Sequence, residues 1–352
     1  MISAIGDLHL TGLAGHGLSS RPPLPRQGWD ARLEAVFGHG LAGLLAAAHR
    51  AGLLTLSTPA ADRLAARLEA EALLAVRLEA ELIRLGPHLE RWGAVVLKGT
   101  VLAHEAYPDP ALRPFSDIDL LVAPGSVPRA IAGLQHLGYE RPRPDPCPRF
   151  AERVAKATVL VHPAGLAVDL HRTLVAGELG ERIDVAGIVS RRRMARAGHL
   201  EVPAPSWDAH LVEVALHAVV GDRLGRALSL RDVAQVASHP DLDGDRVIAL
   251  AGAWRVDAAV ALGLVAAQLD LGAPLPHRLE AWASHRVAAT GPVVRAPRRI
   301  RRGDLGRRIT RARALLVPAP TFLRWRYGER PLPSLYRRRW HDLRSRPADA
   351  WG

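Results

Sequence analysis

From Trp29 to about Leu89 apolar residues recur at spacings of three and four, as at Leu64, Leu68, Leu78, Leu82 and Leu85. That period marks helices that bury one face. Few breakers interrupt the second half, so one long helix is expected from about Pro59 to Leu85, stopped by Gly86-Pro87. Residues 1 to about 28, rich in Gly and Pro, are expected to be irregular. The pattern changes at Trp92. Ala94-Val95-Val96-Leu97 is a short apolar run predicting a buried strand, closed by Gly99. A helical turn or two should follow to Tyr107, then a loop through Pro108, Pro110 and Pro114. Asp117 to Val122 reads as a second strand, and Val127 to Leu137 as a helix ended by Gly138. Thr158 to His162 and Leu166 to His171 flank Pro163-Ala164-Gly165, the pattern of a hairpin. Beyond Leu174 the pattern is helical again, near 207–220, 229–238, 245–252 and 255–268. These elements predict an α+β protein. A small mixed β-sheet core (91–175) is flanked by an N-terminal helical region (1–90) and a C-terminal helical region (176–290), followed by a tail (291–352).

Composition sharpens this picture in three places. The single cysteine, Cys147, excludes an internal disulfide and a multi-cysteine zinc site, and its Pro-rich loop is a poor setting for a catalytic thiolate. The N-terminus lacks a basic stretch followed by an apolar core, and no uncharged apolar run reaches the ~18 residues of a membrane span. A cytoplasmic protein without a membrane span is therefore expected. The chain carries 45 Arg but two Lys, Lys98 and Lys156. A GC-rich bacterial coding history accounts for that bias, and it singles out both lysines.

The net charge of +12 is concentrated at one end. From Gly291 onward 17 Arg face four acids, a balance of +13, which leaves the remainder at −1. Such a tail suits an acidic partner, nucleic acid or an anionic surface, or is simply solvated. The segment Phe322 to Tyr327 interleaves aromatics with Arg, which suits stacking on bases or on the protein's own surface.

Candidate chemistry centres on Asp117-Ile118-Asp119-Leu120-Leu121-Val122. Strands disfavour Asp, and positions i and i+2 face the same way, about 7 Å apart at Cα. Two carboxylates so placed repel each other unless a cation lies between them. A hard divalent ion such as Mg²⁺, with its preference for carboxylate and phosphate oxygens, meets that need. The alternative is an exposed strand end where the acids meet water or an arginine. Asp169 likewise interrupts an apolar strand and shares its face with His171. If the two strands are neighbours, three carboxylates converge on one metal site of the two-ion kind, with His171 beside it. Lys98-Gly99-Thr100 ends the preceding strand. Gly99 lets a backbone approach phosphate, Thr100 offers a hydroxyl and an N–H at a helix start, and Lys98 adds a point charge. Arg113 is placed either to clamp phosphate or to pair with Asp117.

Together these residues resemble the DNA polymerase β-like nucleotidyltransferase superfamily. More narrowly, the segments Val96 to Thr100, Tyr107 to Pro110, Arg113 to Val122, Leu137 to Tyr139 and Asp169 to His171 look like a bacterial family of uncharacterised nucleotidyltransferases. The likeness extends more loosely to His217 and Arg231-Asp232, covering about Trp29 to Pro276. It implies a nucleotidyltransferase core holding Asp117, Asp119 and Asp169 as catalytic metal ligands. Lys98, Gly99, Thr100, Arg113 and Ser116 would bind the nucleotide. It further implies Mg²⁺, in two ions, an NTP donor and an unidentified acceptor. Two features depart from the superfamily pattern: Gly-Thr replaces the commoner Gly-Ser, and the interval from Gly99 to Asp117 is longer than in minimal members.

Two rivals remain at this level. Gly6-Asp7-Leu8-His9 resembles the first block of calcineurin-like phosphoesterases, whose Gly-Asn-His block is missing here. The other is a catalytically inactive fold that serves as a binding module, with the basic tail docking a peptide, RNA or partner enzyme. Three like charges on one face argue against it, because unneeded they cost stability.

Overall fold

The computed structural model describes residues 5–18, 24–142 and 149–289, with isolated positions between 331 and 340. Cys147, Phe322 to Tyr327 and the body of the basic tail lie outside them. The expected α+β arrangement is present. β1 (Ala94–Val96), β2 (Ile118–Val122), β3 (Ala157–Val161) and β4 (Ala167–His171) form one mixed sheet in the order β1-β2-β4-β3. β1 runs antiparallel to β2 with Val95 opposite Leu121, and β3 and β4 form the expected antiparallel hairpin. The central pair, β2 and β4, is parallel, with Ile118 opposite Val168 and Asp119 opposite Asp169.

The two faces of this sheet serve different cores. Ile118, Leu120 and Val122, with Ala94 and Val96, join a core made with the long helix and the helix Val127–His136. Val95, Leu97 and Leu121 point the other way, into a larger core shared by the N-terminal helices and the helices Trp207–Leu216, Ala227–Ala237 and Asp257–Leu271. Asp119 shares its side of β2 with Leu121, so the acids face the helical bundle. Among the described residues no helix is long and apolar enough to cross a membrane.

Three expectations need correction. The long helix spans Thr58–Trp92 and runs through Pro87. A proline inside a helix loses one hydrogen bond and crowds the preceding turn. Here Leu85, Leu89 and Trp92 around and beyond that point are all buried, and their packing outweighs the loss. The stop comes instead at Gly93, whose φ of 63° is the left-handed cap suited to glycine. The N-terminal stretch is not wholly irregular, because Leu8–Gly15 is helical. Asp7 is its N-cap and accepts from His9 N at 2.8 Å, which gives that residue a structural task. Finally, β5 (Arg193–Ala197) and β6 (Leu200–Ala204) form an antiparallel ribbon in a stretch whose apolar pattern reads as helical. Gly198, at φ 64°, makes the turn between them.

Tyr139, one of the residues carrying the family likeness, has its hydroxyl donating to the buried Glu81, which also takes Arg84. This contact ties the long helix to the end of the sheet.

Candidate metal and nucleotide site

Leu97 closes β1 by donating its N–H to Asp119 O at 3.0 Å, so the chain leaves the sheet directly beside the acidic strand. The next residues enter the helix Lys98–Glu105, but Gly99 sits at φ 25°, ψ −115°, outside helical geometry. That kink lies against the acid strand: a Cβ at Gly99 would have the carbonyl oxygen of Asp117 as its nearest neighbour, at 3.7 Å. Alanine therefore fits the space but not the backbone angles. Gly99→Ala is expected to cost about 1–3 kcal/mol of local strain and to move the turn. Thermal unfolding with and without nucleotide checks this, the expected result being a modest loss of stability and a larger loss of nucleotide response.

Asp119 is the centre of the cluster and only 4% exposed. Its Oδ2 pairs with Lys98 Nζ at 2.7 Å and its Oδ1 accepts from His171 Nε2 at 2.8 Å. Burial is the strongest single influence on its carboxyl and opposes ionisation. Lys98 and His171 together outweigh it and hold the group well below the usual carboxylate range. Burial also opposes the charge of Lys98, but the carboxylates of Asp119 and Glu213 more than offset it and raise the ammonium. Asp169, opposite Asp119 in the parallel register, completes the group. One ligand atom each from Asp119, Asp169 and His171 lie within 4.8 Å of one another. Asp117 precedes β2, half-buried and outside that group. Burial, then the charge of Asp119, push its carboxyl up.

A divalent cation fits these donors. Two carboxylates and an imidazole form a mixed oxygen and nitrogen set that such ions accept. With Nε2 of His171 engaged by Asp119, Nδ1 is buried without a hydrogen-bond partner among the described residues.

The remaining site residues are placed unevenly. Ser116 is exposed beside Asp117, and Thr100 is buried behind the Gly99 turn. Arg113 pairs with Asp232 and not with Asp117. It is 5% exposed, donates Nε and Nη2 to Asp232 at 3.0 and 2.9 Å, and donates Nη1 to Gly99 O at 3.2 Å. Tyr107 Oη donates to the same Asp232 at 2.7 Å. Tyr107, Arg113 and Asp232, three separate pieces of the family likeness, thus form one buried brace under the glycine turn.

Two groups at the site escaped sequence reasoning as functional. Glu213, on the helix Trp207–Leu216, is 4% exposed, with Oε2 buried and unpartnered. Burial pushes its carboxyl up, and Lys98 is the strongest charge acting against that. Its signal was an acid set inside Leu211-Val212-Glu213-Val214-Ala215-Leu216. Lys156 lies within the fields of Asp119, Asp169 and Glu213, its ammonium pushed down by burial and then by Lys98. Rarity was its signal: both lysines of the chain are at the acidic cluster.

Acids on neighbouring parallel strands, with a glycine turn at their edge, lie in the small mixed sheet of an α+β protein. A family model described as an uncharacterised nucleotidyltransferase matches residues 25–272. The chain belongs to this nucleotidyltransferase family. No curated protein matches it. Among solved structures it is similar to an antigenic nucleotidyltransferase-like protein from Paracoccidioides brasiliensis, at 16% identity and a TM-score of 0.32, over 57% of this chain and 93% of that one.

Proposed function

We propose that this protein transfers a nucleoside monophosphate from an NTP to an acceptor, releasing pyrophosphate, as a cytoplasmic bacterial enzyme of the DNA polymerase β-like superfamily. The observation that carries this reading is the parallel pairing of β2 with β4, which sets Asp119 opposite Asp169 with His171 beside them. Asp119 and Asp169 would hold Mg²⁺, with Asp117 as a further ligand and His171 as a ligand or as the group that orients Asp119. Bound there, two such ions would neutralise the triphosphate and lower the pKa of the acceptor hydroxyl.

The chain's own residues supply the rest. Lys98 brings a positive charge to Asp119 and is within reach of phosphate oxygens entering beside the turn. Gly99 keeps a side chain out of their way. Thr100 lies behind this turn and supports it, while exposed Ser116 offers a hydroxyl beside Asp117. Arg113 acts on the nucleotide through Gly99, because its guanidinium is held by Asp232 and by the Gly99 carbonyl. Asp169 is the candidate to take the acceptor's proton. The acceptor, a small molecule, peptide or protein, would enter from the side of the helical region (176–290), and the basic tail suits an acidic partner or nucleic acid.

A thermal-shift panel of ATP, GTP, CTP and UTP with Mg²⁺ tests this. A nucleotide at ~100 times its dissociation constant should add roughly 2.7 kcal/mol, or at least a few degrees. One nucleotide is expected to give a metal-dependent shift. If none of the four raises the melting temperature, the enzyme reading fails and a binding module takes its place.

A further inference from the structure

Lys98 and a divalent cation claim the same carboxylate. The ammonium is on Oδ2 of Asp119 at 2.7 Å, with its side chain 13% exposed. A cation taken by Asp119 would meet that ammonium as a like charge, and an ammonium so enclosed cannot be left unpaired without a large cost. It needs a second partner close by.

The helix Trp207–Leu216 supplies one. The acidic side of β2 faces the core to which this helix belongs, since Leu121 and Leu97 pack there with Leu211, Val212 and Leu216. His210, Glu213 and His217 recur at three and four along it and share one face. Glu213 acts on Lys98 more strongly than any group except Asp119. Of the other charges near Glu213, His217 pairs with Asp222 at 3.4 Å and His171 with Asp119, while Lys156 is shared with Asp119 and Asp169 and has its ammonium pushed down by burial and by Lys98. His210 Nε2 stands 3.7 Å from Glu213 Oε2, too far for a hydrogen bond, and is wholly buried. Oε2 of Glu213 is therefore an enclosed acceptor with no donor, in the field of an ammonium that must move when metal arrives.

We propose that Glu213 is a positioning residue that receives Lys98 when Asp119 takes a divalent cation, so that Lys98 serves as a counter-ion with two carboxylate berths. Without metal, Lys98 neutralises Asp119 and keeps the acidic face from repelling itself. With metal, the ammonium crosses to Glu213, on the helix Trp207–Leu216, and is held away from the ligands. The cation thereby draws the sheet and the helical region together through one side chain.

This rests on the reading of Asp119 as a metal ligand, and the experiment separates the two. Because the chain has two lysines, lysine-selective ¹³Cε labelling of the full chain gives two NMR signals, assigned with Lys156→Arg. Saturating Mg²⁺ should move the Lys98 signal, and in Glu213→Gln it should move instead to a solvent-like position. Calorimetric titration with Mn²⁺ should show Glu213→Gln weakening binding about tenfold, the coupling expected of charges in one network. Glu213→Asp should restore part of that loss, and Glu213→Gln should have no effect in a Lys98→Met background. If Mn²⁺ binds and is lost in Asp119→Asn while the Lys98 signal stays put, the two-berth proposal is wrong and the metal reading stands. The same holds if Glu213→Gln acts equally with and without Lys98. If Mn²⁺ does not bind, or binds Asp119→Asn as tightly as wild type, the metal reading itself falls and takes the proposal with it.

Discussion

Asp119→Asn is expected to lower the proposed nucleotidyl transfer by more than about a thousandfold, the scale of losing one preorganised charge at a reacting centre, while leaving the protein folded. Asparagine is preferred to alanine for a structural reason. Alanine would strand the ammonium of Lys98, now 2.7 Å from the carboxylate, and the imidazole of His171 at 2.8 Å, so a loss of activity could reflect a loss of structure. Asparagine keeps the shape and an oxygen for Lys98 but removes the charge that would hold a cation. Turnover of radiolabelled or mass-tagged NTP, alongside circular dichroism and a melting curve, decides the matter. Activity within tenfold of wild type in a folded Asp119→Asn protein would remove this residue from the proposed metal site.

The largest stability effect is expected at Asp232, away from the acids. Its carboxylate takes two hydrogen bonds from the guanidinium of Arg113 and one from Tyr107, and Arg113 and Asp232 are both buried. Burial opposes the charge on Arg113 more than any other influence, and Asp232 is what overcomes it. Removing one partner of such a pair leaves a buried charge uncompensated, at a cost of about 3–5 kcal/mol, a large share of a typical folding stability of roughly 5–15 kcal/mol. Asp232→Ala should therefore shift the urea midpoint strongly downward. Adding Arg113→Met should recover part of the loss, because the stranded charge is then gone. A loss below about 1 kcal/mol, the range of exposed ion pairs, would mean that water reaches Arg113 and that the brace is not closed. Because Arg113 also holds the Gly99 carbonyl, any Asp232 variant that stays folded should respond less to nucleotide as well.

These two residues mark the boundary between what is local and what is not. The Asp117-x-Asp119 spacing, the Asp169-Leu170-His171 strand end, the Thr158 to His171 hairpin and the glycine after β1 were all legible in the chain itself. Each depends on alternation along a strand or on the backbone freedom of one turn, and those are properties of a few consecutive residues. Acids that interrupt apolar strands stand out because burial of a charge needs a partner, whatever the fold.

Which partner answers each charge was decided only by the tertiary structure. Arg113 found Asp232, 119 residues away, and not Asp117 four residues away, because the turn's underside packs on the helix Ala227–Ala237. The long helix passed through Pro87 because Leu89 and Trp92 had a core to enter, and the ribbon of β5 and β6 formed where local pattern favoured helix. Asp119 meets Asp169 only because β4 joins β2 in parallel, with β3 at the edge. Glu213 reaches the site only because the acidic face of the sheet is covered by the helical bundle. Periodicity states that a face is buried but not against what. The sequence by itself therefore determined the strands, the turn and the acids they carry. The assembly of a site from them was left to the faces that exclude water together.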